Sequence, residues 1–181
     1  MANIQVSNAP FINKWFYVTG AFGEERSGGR IHKGLDLAPE GFVGSLYSID
    51  TFNIQYIGYD ANGYGNYFIA NNGNGMMYLY AHMASITVSV GDIIPIHTYV
   101  GESGRTGSAT GVHLHLEMQQ GTIWQYGQPL STYTNPTSYL TDINNVVSLS
   151  DRYYYGGSPT PPTPTREHKF PWFIYQNNNF D

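Results

Sequence analysis

Along Val112-His-Leu-His-Leu-Glu117, apolar and polar side chains alternate without a break. Period two belongs to a strand, whose successive side chains point to opposite faces. Val112, Leu114 and Leu116 therefore take one face and pack inward, while His113, His115 and Glu117 share the other. Short strand-like runs recur from Lys14 to about Asp142, separated by turn signals at Gly28-Gly29, Asn62-Gly63, Asn72-Gly73 and Gly104-Arg-Thr-Gly107. Ile49 to Tyr59 and Asn66 to Asn71 bracket Asn62-Gly-Tyr-Gly65 and predict a hairpin. Ser85 to Val90 and Ile93 to Val100 around Gly91-Asp92 predict a second. Leu35 to Ala38 reads as a short strand entered from a loop, because Gly28, Gly29, Gly34 and Pro39 oppose a helix there. No segment predicts a long helix; Pro136 to Leu140 offers one turn, and Thr141 to Ser150 is too short to assign. The expected fold class is mainly β: an antiparallel β-sheet domain with a groove on one sheet face, long loops and little helix.

The flanks read differently. Met1 to Asn13 is expected to be an irregular leader. Gly156-Gly-Ser-Pro-Thr-Pro-Pro-Thr-Pro-Thr165 holds four prolines, which favour an extended, poorly packed chain. Beyond it, Phe170-Pro-Trp-Phe-Ile-Tyr175 is an apolar cluster too small to bury itself. The expected organisation is a domain over 1–150, a linker over 151–165 and an aromatic tail over 166–181.

Composition narrows the setting. The 181 residues suffice for one domain with a proper core, and 41% are hydrophobic. Only 12% are charged, about half the usual share, and 16 tyrosines help to fill the gap. Aromatic residues suit a pleated surface, which again favours strands. A net charge of −5 with no basic run argues against nucleic acid or an anionic membrane as partner. With no cysteine, disulfide and thiolate chemistry are excluded. No run of about 18 apolar residues is present, so no membrane span is expected, and Met1 to Asn13 lacks the pattern of a signal peptide.

The chemistry gathers around the histidines. Neutral imidazole is a strong zinc ligand and a useful proton carrier, so His113 and His115 on one strand face suit a metal. Upstream, His32 and Asp36 lie four apart in Arg30-Ile-His-Lys-Gly-Leu-Asp36, and His82 closes Tyr78-Leu-Tyr-Ala-His82. Each alone is weak: His32 and Asp36 could form a surface pair, and His82 could be a hydrogen-bonded core residue. The ordered set, H-x-x-x-D, then Tyr-Ala-His, then Gly-x-His-x-His, is specific. His97 and His168 fall outside it.

That set resembles the lysostaphin-like zinc endopeptidases of bacterial cell walls. The likeness runs from about Val18 to Leu140. It includes Gly20-Ala-Phe-Gly23, Gly34-Leu-Asp-Leu-Ala-Pro-Glu-Gly41, Gly63-Tyr-Gly65, Tyr80-Ala-His-Met83, Val90-Gly-Asp92, Gly101-Glu-Ser-Gly-Arg-Thr-Gly107, Gly111-Val-His-Leu-His-Leu-Glu117 and Asn135-Pro-Thr-Ser-Tyr-Leu140. The resemblance implies one zinc ion held in the groove by His32, Asp36 and His115, with His82 and His113 unligated and catalytic. Two imidazoles and a carboxylate leave one tetrahedral position open, as in a catalytic zinc site.

One position departs from the pattern: several relatives carry a tyrosine six residues before the first histidine ligand, where this chain has Arg26. Arg26 is a candidate to face the oxyanion, against the plainer reading of an arginine on the rim. Tyr80, two residues before His82, is expected on the same strand face and is another candidate. Glu117 is a candidate to orient an imidazole from behind.

The resemblance implies a metalloendopeptidase whose partner is the peptide of bacterial peptidoglycan. Composition and the aromatic tail add an expectation of phage tail or lysin origin, with virion proteins as further partners through the tail. The expected location is virion-associated or extracellular, at the cell wall. The rival is an inactive wall-binding or assembly module of the same fold, which would be expected to lack one or more of the ligands that this chain keeps.

Overall fold

The computed structural model describes residues 3–140 and 151–157. Its strands in chain order are β1 (Asn3–Gln5), β2 (Trp15–Gly20), β3 (Glu25–Arg26), β4 (Arg30–Ile31), β5 (Gly34–Pro39), β6 (Ser45–Tyr47) and β7 (Phe52–Asp60). There follow β8 (Gly65–Asn71), β9 (Met76–Met83), β10 (Ser85–Ile86), β11 (Ile93–Ile94), β12 (Tyr99–Glu102), β13 (Leu114–Gln120) and β14 (Arg152–Tyr154). Helix among the described residues is limited to α1 (Thr137–Leu140) and two 3-10 turns, Ser27–Gly29 and Leu130–Thr132. No helix among them is long and apolar enough to cross a membrane.

Nine strands form one sheet in the order β1-β14-β2-β5-β13-β9-β8-β7-β11, antiparallel except where β1 meets β14. β10, β12 and β6 make a smaller sheet, and β3 pairs with β4. The mainly antiparallel β architecture is the one the alternation implies. One face of the large sheet carries the main core, including Phe16, Leu35, Leu37, Phe52, Phe68, Tyr78, Tyr80, Leu114, Leu116 and Met118. Large apolar side chains of this kind stabilise by about 1.5–3 kcal/mol each when fully buried. The opposite face holds a second cluster, Tyr67, Ile69, Met77, Leu79, Ala81, Trp124 and Tyr133. On β13, His115 pairs with Ala81 and Asp36, and Glu117 with Leu79 and Gly34, so these polar residues lie on the second face. The strand period thus sorts core from site within one strand.

The hairpin of β7 and β8 forms around 61–64, as its turn signal implies. Three other expectations are corrected. The segment around Gly91-Asp92 is not a simple hairpin: β10 pairs with β12, while β11 turns away to pair with β7. Asp92 O accepts from Ile54 N at 3.0 Å, which ties this turn to the large sheet. The leader is not irregular throughout: β1 lies on the sheet edge, and Val6, Ala9, Phe11 and Ile12 are buried. Phe11 packs on Phe16 at 5.6 Å and fills the space that Gly44 leaves open. Residues 152–154, expected within a linker, are instead a strand: β14 lies between β1 and β2, with Tyr153 buried against Phe16 at 5.8 Å. Arg152 lies over the Trp15 ring at 4.7 Å. Three-residue strands carry too little pattern to be read from sequence, and β1 and β14 pair across most of the described chain. Residues 141–150, most of the linker and the aromatic tail fall outside the described residues.

Candidate metal centre

Asp36 sits on β5 and His115 beside it on β13, paired directly across the ladder. His32 precedes β5, its main chain pinned by His32 N donating to Glu24 O and Gly23 N donating to His32 O, both at 2.8 Å. All three side chains are buried. Their ligand atoms form a triangle: His32 Nε2 to His115 Nδ1 is 3.1 Å, His115 Nδ1 to Asp36 Oδ1 is 2.8 Å, and His32 Nε2 to Asp36 Oδ1 is 3.2 Å. Among the described residues this is the one group whose ligand atoms converge closely enough to hold an ion. Ligands about 2.0–2.1 Å from a tetrahedral zinc lie about 3.3 Å apart, so each edge matches to about half an ångström.

The outer atoms of these three side chains are already committed. His32 Nδ1 lies 2.7 Å from Ala21 O, so it carries the proton and leaves Nε2 as a lone pair. His115 Nε2 donates to Glu117 Oε1 at 2.9 Å, turning Nδ1 inward. Asp36 Oδ2 accepts from Arg26 Nη2 at 2.8 Å, leaving Oδ1 to the triangle. Three acceptors facing one another need a cation between them, and this donor set fits zinc. The electrostatics agree. Burial alone would lower the basicity of His115, but hydrogen bonds from its ring to the Asp36 and Glu117 carboxylates overcome it and raise its pKa to about 9. Burial opposes ionisation of Asp36, yet hydrogen bonds with His115 and His32 hold its carboxyl far below the usual range. The spot favours positive charge.

Glycine makes the close packing feasible. A side chain at Gly34 would strike His115 Cε1 at 2.6 Å, and one at Gly20 would overlap Arg26 and Asp36.

His82 and His113 stand beside the triangle with ring centroids 4.7 Å apart, and His82 is 5.7 Å from the His115 ring. Their Nδ1 atoms lie 2.9 Å from Thr106 O and from Gly111 O, respectively, which commits Nδ1–H in both and frees Nε2. His113 Nε2 is 3.7 Å from Asp36 Oδ1. Burial, then the charges of His113 and His115, lowers the His82 pKa to about 4. Burial likewise lowers that of His113. Both imidazoles are therefore neutral bases near pH 7.

Tyr80 does not join them. Its ring stacks on Phe68 at 4.9 Å in the main core, and its hydroxyl donates to Tyr47 O at 3.1 Å. The expectation that it shares a face with His82 fails because His82 has φ 61°, which breaks the alternation of β9. Arg26 is at the site, but it grips Asp36 and lies 3.1 Å from His32 Nδ1. Its bond is to the Asp36 oxygen that faces away from the triangle. His97 lies elsewhere, against Asn8 and Tyr155. Sequence reasoning missed Tyr64, which was legible only as part of a turn. Its hydroxyl lies 3.1 and 3.2 Å from the two oxygens of Glu117, and its ring is 5.9 Å from that of His115.

These features meet in one family. The model of Peptidase family M23 matches residues 30–131, more than half of the chain, and the chain belongs to that family of zinc-dependent peptidases. The match spans His32, Asp36, His82, His113, His115 and Glu117. DD-carboxypeptidase/endopeptidase Mpg of Neisseria gonorrhoeae is 32% identical over 128 residues, covering 68% of this chain and 27% of Mpg. Peptidoglycan DD-endopeptidase ShyA of Vibrio cholerae is 41% identical over 54 residues, 30% of this chain and 13% of ShyA. The chain thus spans about a quarter or less of the length of these curated relatives. The catalytic domain of lysostaphin from Staphylococcus simulans superposes with a TM-score of 0.55 at 26% identity, covering 70% of this chain and 90% of that domain. The catalytic domain of EnpA, a prophage-encoded M23 protein of Enterococcus faecalis, gives 0.55 at 25%, covering 68% and 91%.

Proposed function

We propose that this chain is a zinc-dependent metalloendopeptidase that hydrolyses peptide bonds in the stem or cross-bridge peptides of bacterial peptidoglycan. The observation that carries the reading is the triangle of His32 Nε2, Asp36 Oδ1 and His115 Nδ1, each atom freed for a metal by a bond on its far side. A zinc ion held there would supply Lewis acidity, polarising a scissile carbonyl and bringing the pKa of a water toward about 7. The chain's own residues then do the proton work. His82 and His113 are neutral, with Nε2 free, so they can take a proton, carry it as imidazolium and deliver it to the leaving amine. The ring that has taken the proton carries it at Nε2, from which it can also donate to the developing oxyanion before passing it on. Arg26 fixes the carboxylate of Asp36, which is a different task from facing the oxyanion.

The substrate class is supported by the functions of Mpg and ShyA and by the likeness to lysostaphin. A role in phage entry or cell lysis is supported by the similar prophage-encoded EnpA and by the low charge and aromatic tail of this chain. On this reading the partners are wall peptide and, through the tail, virion proteins, and the protein acts outside the membrane at the wall. The test is digestion of defined cell walls by the zinc-loaded chain, with mass spectrometry of the released fragments. New amino termini within stem or bridge peptides are expected; intact walls, with zinc bound at the site, would favour the wall-binding alternative.

A further inference from the structure

We propose that Tyr64 is a positioning residue of this site, its hydroxyl fixing the Glu117 carboxylate so that Glu117 holds the His115 ring with Nδ1 turned to the metal. The inference rests on the zinc reading above and extends it to a residue outside the ligand set. Glu117 is buried on the second face of the sheet, with 3% of its surface exposed. It accepts from His115 Nε2 at 2.9 Å and from the Tyr64 hydroxyl, which lies 3.1 and 3.2 Å from its two oxygens. A buried carboxylate without donors carries a large desolvation cost, so these two donors decide where it sits.

The same residue reaches the unligated pair by another route. Tyr64 O accepts from His82 N at 2.8 Å, at the residue whose φ of 61° turns its imidazole toward the site. The turn that presents Tyr64 is itself held, by Ser108 N donating to Gly63 O at 3.0 Å and Asn66 N donating to Thr106 Oγ1 at 2.9 Å. Rings at 5.5 Å (Tyr67) and 5.9 Å (His115) bracket its own ring. Tyr64 therefore joins the ligand His115 through its side chain and His82 through its main chain, and the two links are separable. Tyr64→Phe keeps the ring and the carbonyl and removes only the link to Glu117.

The experiment measures zinc affinity by competition with a chelator, on the full chain, for Tyr64→Phe, Glu117→Ala and the double variant. Melting of the metal-free proteins serves as the structural control. Tyr64→Phe is expected to weaken zinc about 10-fold or more, within the range of about 10–100-fold for partners behind a metal-ligating histidine. In the Glu117→Ala background the same change is expected to do nothing further, because the hydroxyl acts through the carboxylate. Unchanged affinity in Tyr64→Phe, or losses that multiply in the double variant, would overturn the inference. Should Tyr64→Phe fail to fold, Glu117→Gln takes its place: it is expected to weaken zinc, and parental affinity there would overturn the inference equally. Failure of the parent itself to bind zinc, or zinc that survives His115→Ala, would overturn the underlying reading instead.

Discussion

The three atoms proposed to hold the metal are aimed by what stands behind them. Ala21 O holds His32, Glu117 holds His115, and Arg26 holds Asp36, each through the atom that does not face the triangle. Removing one ligand leaves two, which hold zinc poorly. His115→Ala and Asp36→Ala are therefore expected to lose most of the metal, read by elemental analysis after dialysis; unchanged zinc in both would remove these residues as ligands. His82→Ala and His113→Ala keep the triangle intact. They are expected to retain zinc while turnover of a wall peptide falls by on the order of 100-fold or more, the scale of a lost proton-transfer group. His97 supplies a control away from the site. Burial lowers its pKa, so between its folded value and about 6.5 the unfolded chain binds more protons, and stability is lost as the pH falls through that window. His97→Asn, which tolerates the φ of 63°, is expected to flatten part of the loss in melting temperature between about pH 7 and 5. An unchanged slope would show that His97 does not contribute.

At the scale of elements, β13 does most of the organising. Its apolar residues anchor the main core while His115 and Glu117 stand on the other face, one step out of phase. Leu116 is fully buried directly between them in sequence, and Leu116→Ala is expected to cost about 2–5 kcal/mol, measured by denaturant unfolding. A cost below about 1 kcal/mol would mean that β13 is less firmly anchored than its burial implies. This strand was legible because its alternation is unbroken over six residues, and the β7–β8 hairpin because its turn residues are diagnostic. The position of Tyr80 was not, since one left-handed residue at His82 shifts the phase and nothing in Tyr-Ala-His announces it. Nor were β1 and β14, whose pairing joins Asn3 to Arg152, far apart along the chain. Tyr64 was hidden for a related reason: its contact with Glu117 spans 53 positions, and a tyrosine in a Gly-flanked turn reads as turn chemistry.

At the scale of the whole molecule, β14 carries the described sheet on to residue 154. β14 lies between β1 and β2, so a chain stopped at residue 150 loses an inner neighbour of both, together with the buried Tyr153. Every proposed site residue nevertheless lies before residue 118. The segment after 157 holds the Pro-Thr run and the apolar sequence Phe170-Pro-Trp-Phe-Ile-Tyr175, to which the reading above gives a role in targeting. A chain ending at Gly157 is therefore expected to hydrolyse a soluble wall peptide about as fast as the full chain, while binding whole walls or virion proteins less well. A chain ending at Ser150 is expected to melt earlier and to lose rate with stability rather than with zinc affinity. The comparison needs three chains, one soluble peptide and one sedimentation assay with purified walls. Loss of soluble-peptide hydrolysis on removing 158–181 alone would place the tail within the catalytic unit, and equal wall binding by the full and shortened chains would remove its targeting role.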